Sequence, residues 1–501
     1  MSELNKNRIQ NIIVVGGGTA GWISAAILAR STEHLACAIT VVESPNIPTV
    51  GVGESTIPTF LDLLDYLKIS KQDFVKKTDA TFKLGIKFVD WLDEKHSYWH
   101  PFGSVGSKID GVPFYHHWLK SKFHGCPSEF VDFSPSIALA KINRFLAPAR
   151  KSDSILSEST YALHIDSAKT AKYLENYCKK KRVRHVYADV IDATLSPGGM
   201  IERLFLSSGE HLSADLFIDC TGQAGLLIDK YLRVKYIDWS NYLPADQAVV
   251  VHTEQAAEIP PYTQATALEH GWMWKIPLRN RAGNGYVYSS QYCDADQALT
   301  ALRGKLDGAE ISEARTLNFS TGKRKSFWVK NCVAVGLSGG FLEPLESTGI
   351  YLAMRSMLNL VENFPSAFYE QSLIDEYNRV MHIEYDCIRD FIVAHYCLSN
   401  RQDSEFWRSW KEREIPESLR IKLDIFSANG QLYKNPMDLF SEESWWAVLE
   451  GMGLRPRHYL PNVDSSDYYK IIDSMKRGSI ALKESAKMAP THEAFLQKLI
   501  G

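Results

Sequence analysis

The feature that most constrains this chain is a glycine-rich turn set between a short apolar strand and a helix. Ile9 to Val15 is apolar and β-branched, and it runs straight into Gly16-Gly17-Gly18-Thr19-Ala20-Gly21. That run reads as a buried parallel strand, and Thr19 to Ala29 as the helix after it. Gly16, Gly18 and Gly21 form Gly-x-Gly-x-x-Gly in the strand–turn–helix setting the motif requires. The glycines permit a tight turn, and the backbone N–H groups around Thr19 and Ala20 open the helix. A helix N-terminus of this kind stabilises a pyrophosphate. A second apolar strand, Ala38 to Val42, ends at Glu43, 22 residues after Gly21. A carboxylate at that place binds a ribose hydroxyl. The opening therefore predicts a βαβ dinucleotide-binding unit.

Later segments favour FAD as the dinucleotide. Gly51-Val52-Gly53-Glu54-Ser55-Thr56-Ile57-Pro58 is a Gly-rich loop. Gly53, Glu54 and Ser55 are its candidate cofactor contacts, and a helix from about Phe60 to Phe74 is expected after it. Asp215 to Asp219 is a short strand closing on Cys220-Thr221-Gly222. Cys332 to Val335 is another, running into Gly336 and Ser338-Gly339-Gly340. Such strand ends bring backbone to a ribityl chain and phosphates. No second dinucleotide fingerprint is present, so an external reductant is expected. Residues 89–135 are aromatic-rich and read as an irregular, cavity-lining insertion. Residues 286–292 look like sheet. From Tyr351 onward helical periodicity dominates.

Composition narrows the partners. The chain has 501 residues, 45% hydrophobic and 23% charged, with net charge −3. These values suit a globular protein and point to neither nucleic acid nor an anionic membrane as partner. The eight cysteines stand at 37, 126, 178, 220, 293, 332, 387 and 397, without a Cys-x-x-Cys pair. No metal site or redox dithiol is signalled. The polar start Met1-Ser2-Glu3-Leu4-Asn5-Lys6 is unlike a signal peptide, and no apolar run reaches membrane length, so a cytoplasmic location is expected.

Several motifs are similar to those of flavin-dependent halogenases of the tryptophan halogenase family. They are the opening Gly-Gly-Gly-Thr-Ala-Gly with Trp22, and the 51–58 loop. Gly271-Trp272-Met273-Trp274-Lys275-Ile276-Pro277 matches Trp-x-Trp-x-Ile-Pro. Phe341-Leu342-Glu343-Pro344-Leu345-Glu346-Ser347-Thr348-Gly349 matches Phe-x-x-Pro-x-x-Ser-x-Gly. Ala80-Thr81-Phe82-Lys83 resembles the segment of the family's essential lysine. Phe391-Ile392-x-Ala394-His395 and Phe406-Trp407-Arg408 resemble its C-terminal part. The resemblance spans nearly the whole chain. It implies an α/β fold, with an FAD-binding Rossmann-like module of the flavin monooxygenase type, an inserted sheet and a mostly helical C-terminal region. One catalytic unit would cover 1–501. Its cofactor module would be assembled from about 8–60, 155–235 and 325–360. Its substrate module would come from about 61–154, 236–324 and the helical 361–501.

Each candidate site residue also has a plainer reading. Trp272 and Trp274 alternate at strand spacing and face one side, as core residues also do. The resemblance makes them, with Ile276 and Pro277, a wall between flavin and substrate. Lys83, taken alone, is a surface lysine; beside a cavity it would be a tunable donor or amine nucleophile. Lys87, four residues on, is read as structural. Glu346 precedes a helix and would suit its dipole, but the resemblance makes it catalytic. N–H groups near Thr348 and Gly349 are candidates to hold a halide, and Gly336, Gly349 and Ile350 to approach the flavin. His100, Pro101, Phe102, Trp445 and Trp446 are candidate substrate contacts, since aromatic side chains stack on a flat ring.

The resemblance implies that reduced FAD, O2 and chloride or bromide yield hypohalous acid, which passes through a tunnel to a separate aromatic site. There Lys83 holds the electrophile, and Glu346 stabilises the cationic ring or removes its proton. A separate NAD(P)H-dependent flavin reductase would supply the reduced flavin to act on a small aromatic, indole-type substrate; a homodimer is left open. Residues 431–440, Gln-Leu-Tyr-Lys-Asn-Pro-Met-Asp-Leu-Phe, carry one tyrosine where free-tryptophan enzymes of the family use a tyrosine pair to clamp the amino acid. Free tryptophan is therefore not the expected best substrate, although Lys434, Asp438, Glu442 or Glu443 would allow another clamp. The alternatives are a free-tryptophan halogenase, a flavin-dependent aromatic monooxygenase and a non-catalytic flavin-binding redox module.

Overall fold

Alternation of β-branched strands with amphipathic helices gives an α/β protein whose chain contributes three segments to each of two compact units: 1–78, 165–240 and 319–386 to the first, 79–164, 241–318 and 387–501 to the second. The computed structural model describes residues 8–35, 37–47, 53–148, 154–433 and 435–501. Met1 to Lys6, Gly51, Val52 and Lys434, to which the sequence reading also refers, lie outside the described residues.

The first unit is built on a six-stranded sheet in the order Trp328–Val329, Cys332–Ala334, Leu216–Asp219, Asn11–Val15, Ala38–Glu43 and Arg184–Tyr187. Asn11–Val15 sits between parallel neighbours on both sides, which is why it is so apolar: four of its five residues are buried. The helix Thr19–Ser31 follows it, two residues longer than periodicity suggests. In place of one helix over 60–74 there are two, Thr59–Tyr66 and Lys71–Thr78. Lys68 has φ 56° and cannot continue a right-handed helix.

The second unit is built on a seven-stranded sheet in the order Arg315–Asn318, Gln247–Thr253, Ala282–Tyr288, Gly271–Pro277, Thr263–Leu268, Gly85–Val89 and Ser97–Pro101. The strand foreseen at 286–292 lies earlier and ends at Tyr288. The insertion 89–135 is more regular than expected, since it contains the strand Ser97–Pro101 and the helix Phe114–Phe123. Its aromatics obscured the pattern because both elements are largely buried, so neither shows a polar face. Among the described residues no helix is long and apolar enough to cross a membrane.

Candidate active site

The turn 16–21 is shaped by close backbone approach. Gly16 has φ 119°, and a Cβ there would stand 2.2 Å from the Cys220 carbonyl oxygen. A Cβ at Gly21 would meet the Gly16 oxygen at 1.9 Å. Gly18 differs: nothing lies within 4 Å of a Cβ built on it, and as N-cap of the Thr19–Ser31 helix it supplies no side-chain cap. Unclaimed N–H groups at a helix start beside open space fit a dinucleotide pyrophosphate. Glu43 ends its strand with its side chain over Gly17 and Oε2 2.8 Å from His185 Nε2. Gly53 has φ 74° and leads into Glu54–Ser55. Burial, with the Asp166 charge adding to it, pushes the Glu54 carboxyl up to about 7. Asp219 organises the turn after its strand by accepting from the backbone N–H groups of Leu227 and Ile228 at 2.7 and 2.8 Å. Gly336, with φ 67°, packs so closely on the helix start that a Cβ would lie 2.9 Å from Ala20 Cβ.

The segment after Phe341 makes a second helix N-terminus in the same unit. Pro344–Glu346 is a 3-10 turn, Ser347 takes φ 61°, and the helix Gly349–Glu362 begins after Thr348. Glu346 and Thr348 are fully buried. Thr348 gives no side-chain cap, and its Oγ1 has no hydrogen-bond partner among the described residues. A Cβ on Gly349 would meet nothing within 4 Å. Open N–H groups at Gly349 and Ile350 beside a buried hydroxyl suit a small anion.

Lys83 lies in the second unit, and the structure departs from the surface reading: its side chain is fully buried. It ends the three-residue strand Thr81–Lys83, which pairs antiparallel with residues 162–164. Its Nζ stands 4.9 Å from the centre of the Phe102 ring. Lys87 remains half-buried, over Trp99. From Phe102 a continuous run of rings extends through His100 (6.1 Å), Phe391 (5.4 Å from His100) and Phe440 (stacked on Phe391 at 3.7 Å) to Trp445 (4.7 Å from Phe391). Beyond it, Lys422 Nζ is 4.0 Å from the Trp445 ring and 2.6 Å from Asp438 Oδ2. Trp446 belongs elsewhere: it stacks on Tyr115 at 4.7 Å and donates from Nε1 to the Gly430 carbonyl. Successive helical residues diverge by about 100°, which separates the pair. The sequence does not single out Phe440 or Lys422 as site residues. Phe391 carries a signal only as part of Phe391-Ile392-x-Ala394-His395.

Trp272 and Trp274 share one face of the strand Gly271–Pro277, their rings 6.1 Å apart. Trp274 lies across Gly285, where any Cβ would touch its ring at 2.2 Å. Its buried Nε1 has no partner among the described residues. Ile276 is buried, and the Pro277 carbonyl accepts a 2.6 Å hydrogen bond from Thr81 Oγ1, tying this strand to that of Lys83.

Comparison with known proteins gives the class first: the chain is an enzyme with the fold of flavin-dependent halogenases. It superposes on one from Brevundimonas sp. BAL3 with TM-score 0.94 and 38% identity, covering 99% of this chain and 100% of that one. A flavin-dependent halogenase from Xanthomonas campestris matches with TM-score 0.94 and 37% identity, over 98% of each chain. The tryptophan halogenase family profile matches residues 11–468, and the chain belongs to that family. Among curated relatives, a tryptophan 6-halogenase from Streptomyces albogriseolus is 35% identical over 490 residues, 91% of each protein.

Proposed function

We propose that this chain uses FAD, O2 and chloride or bromide to halogenate an indole-type ring, and that free tryptophan is not its best substrate. A separate NAD(P)H-dependent reductase supplies the reduced flavin, and the setting is cytoplasmic. The carrying observation is the burial of Lys83 against Phe102 at the head of a run of aromatic side chains. A lysine buried beside an aromatic ring is the setting of a tunable donor or amine nucleophile.

When bound, reduced FAD supplies the two electrons that let O2 and halide become hypohalous acid and water. The chain's own groups divide the remaining tasks. N–H groups at Gly18 to Gly21 hold the pyrophosphate, and Glu43 a ribose hydroxyl. Glu54, Ser55 and Gly336 line the cofactor path. Thr348 Oγ1 and the N–H groups of Gly349 and Ile350 hold the halide and the neighbouring cofactor edge. Trp272, Trp274, Ile276 and Pro277 keep the arene from the flavin. Lys83 Nζ holds the electrophile by hydrogen bond or as a haloamine. His100, Pro101, Phe102 and Trp445 present the ring, whose carbon takes the halogen; the hypohalous oxygen leaves as water. Glu346 takes the ring proton.

The substrate reading rests on the single tyrosine of 431–440, and the pairing of Asp438 supports it. This carboxylate, the acid in 431–440, is engaged by Lys422, so it does not present a bare charge to an α-ammonium group. A zwitterion entering without paired partners would lose its hydration uncompensated.

The test is turnover with a flavin reductase, halide and a panel of arenes, scored by product mass. Wild type adds halogen, and its kcat/KM for indole exceeds that for tryptophan. K83A still forms hypohalous acid but leaves the arene unchanged. A product heavier by one oxygen overturns the halogenase assignment, a preference for tryptophan overturns the substrate class, and full activity in K83A removes Lys83.

A further inference from the structure

We propose that His492, at the start of the C-terminal helix His492–Ile500, is a positioning residue for Lys83: its ring nitrogen takes the place of a neighbouring strand and holds Phe82, so that the lysine is presented in one orientation. This rests on the reading of Lys83 as the group that handles the electrophile.

The strand Thr81–Lys83 is at the edge of its sheet and only three residues long. Edge backbone donors that are buried must find a partner or cost free energy. The Phe82 N–H donates to His492 Nε2 at 3.1 Å, across 410 positions of sequence. The other ring nitrogen, Nδ1, is 2.8 Å from the Ile259 carbonyl oxygen, which can only accept. His492 therefore carries its proton on Nδ1 and accepts on Nε2, a role that only the neutral ring can fill. Burial agrees, lowering its pKa to about 4.

The surroundings lock both flanks. The Phe82 ring stacks on Phe145 at 4.0 Å and meets Tyr161, Phe495 and His492 edge-on. Because side chains alternate along a strand, fastening Phe82 on one side turns Lys83 to the other, toward Phe102. One residue earlier, Thr81 Oγ1 donates to the Pro277 carbonyl and accepts from His164 Nδ1 at 3.0 Å, while His164 Nε2 accepts from Thr263 Oγ1 at 2.9 Å. His164 is likewise held neutral by burial, with the Lys83 charge adding to the effect. Two residues before Thr81, Asp79 is fastened by Arg279 and by Asn280 at 2.7 Å. An ordinary core histidine would need partners for its nitrogens; this one spends its acceptor on the backbone directly before the lysine.

The experiment compares H492A, H492Q, H492N and K83A with wild type. Each is supplied with a flavin reductase and bromide and assayed for bromination of indole, for hypobromous acid release by a small-molecule probe, and for Tm. Glutamine can place an acceptor where Nε2 stands, whereas asparagine reaches only the Nδ1 position. A misplacement near 1 Å costs about 10²-fold. H492A is expected to lose about that factor in indole bromination while hypobromous acid release stays near wild type. H492Q should recover most of the loss and H492N little. Wild-type bromination by H492A overturns the proposal. So does a parallel fall of bromination, hypobromous acid release and Tm that glutamine restores no better than asparagine. Full bromination by K83A overturns the reading of Lys83 itself, whatever His492 does.

Discussion

The candidate sites of the two units are built by different means. In the first, the cradle is backbone: Gly16 and Gly21 allow main chain to touch main chain, and Gly18 and Gly349 leave space beside helix starts. In the second, the candidate reaction site is side chains, a buried lysine and a run of rings from Phe102 to Trp445. Backbone contacts are nearly independent of residue type except where a Cβ intrudes. A side-chain site depends on every neighbour that fixes a rotamer. The comparison teaches that substitutions in the first unit should act on binding or folding, and those in the second on the fate of the electrophile.

Glu346 is where that division should break most visibly, since it is a buried side chain of the first unit assigned to proton transfer. E346Q is expected to lower ring halogenation by roughly 10²–10⁴-fold, the usual contribution of a general base. FAD affinity, measured by titration of the apo-protein, should stay near wild type. An equal loss of affinity would make Glu346 part of the cradle.

The glycines sharpen the comparison within one turn. G16A must strain a φ of 119° and push a Cβ against the Cys220 carbonyl, so Tm should fall by the equivalent of roughly 1–3 kcal/mol. G18A meets nothing within 4 Å, so Tm should hold while FAD affinity falls. Equal effects of the two on Tm would deny that Gly18 is kept for a ligand.

The last test is pH dependence, whose sign differs between the units. Burial lowers His492 from 6.5 to about 4. Its folded state favours the neutral ring, so its stabilisation is present above pH 6.5 and is lost as pH falls through 4. Burial raises Glu54 from 4.5 to about 7. Its folded state favours the protonated form, so its stabilisation is present below pH 4.5 and is lost as pH rises through 7. Each is worth roughly 3 kcal/mol at 1.36 kcal/mol per pH unit. Segment-resolved hydrogen exchange should show H492Q flattening the acid loss in the second unit and E54Q flattening the loss toward neutral pH in the first. The same slope in both units would contradict the assignment.

What the sequence determined by itself is local. Gly-x-Gly-x-x-Gly after a β-branched run specifies its turn because at Gly16 and Gly21 only glycine tolerates the close backbone approach. Glu43 at its strand end, and Trp272 and Trp274 on one face, follow from chain distance and a period of two. The broken helix at Lys68 escaped because a positive φ on a lysine leaves no compositional mark. Tertiary structure decided the rest. Lys83 and Lys87 look alike in sequence, yet one is wholly buried against Phe102 and the other half-buried over Trp99. Trp445 and Trp446 are neighbours in sequence but lie in different clusters. His492 meets Phe82 across 410 positions, and Lys422 meets Asp438 over Trp445. Burial and long-range pairing depend on which segments pack together, and one stretch of chain carries no record of its distant neighbours.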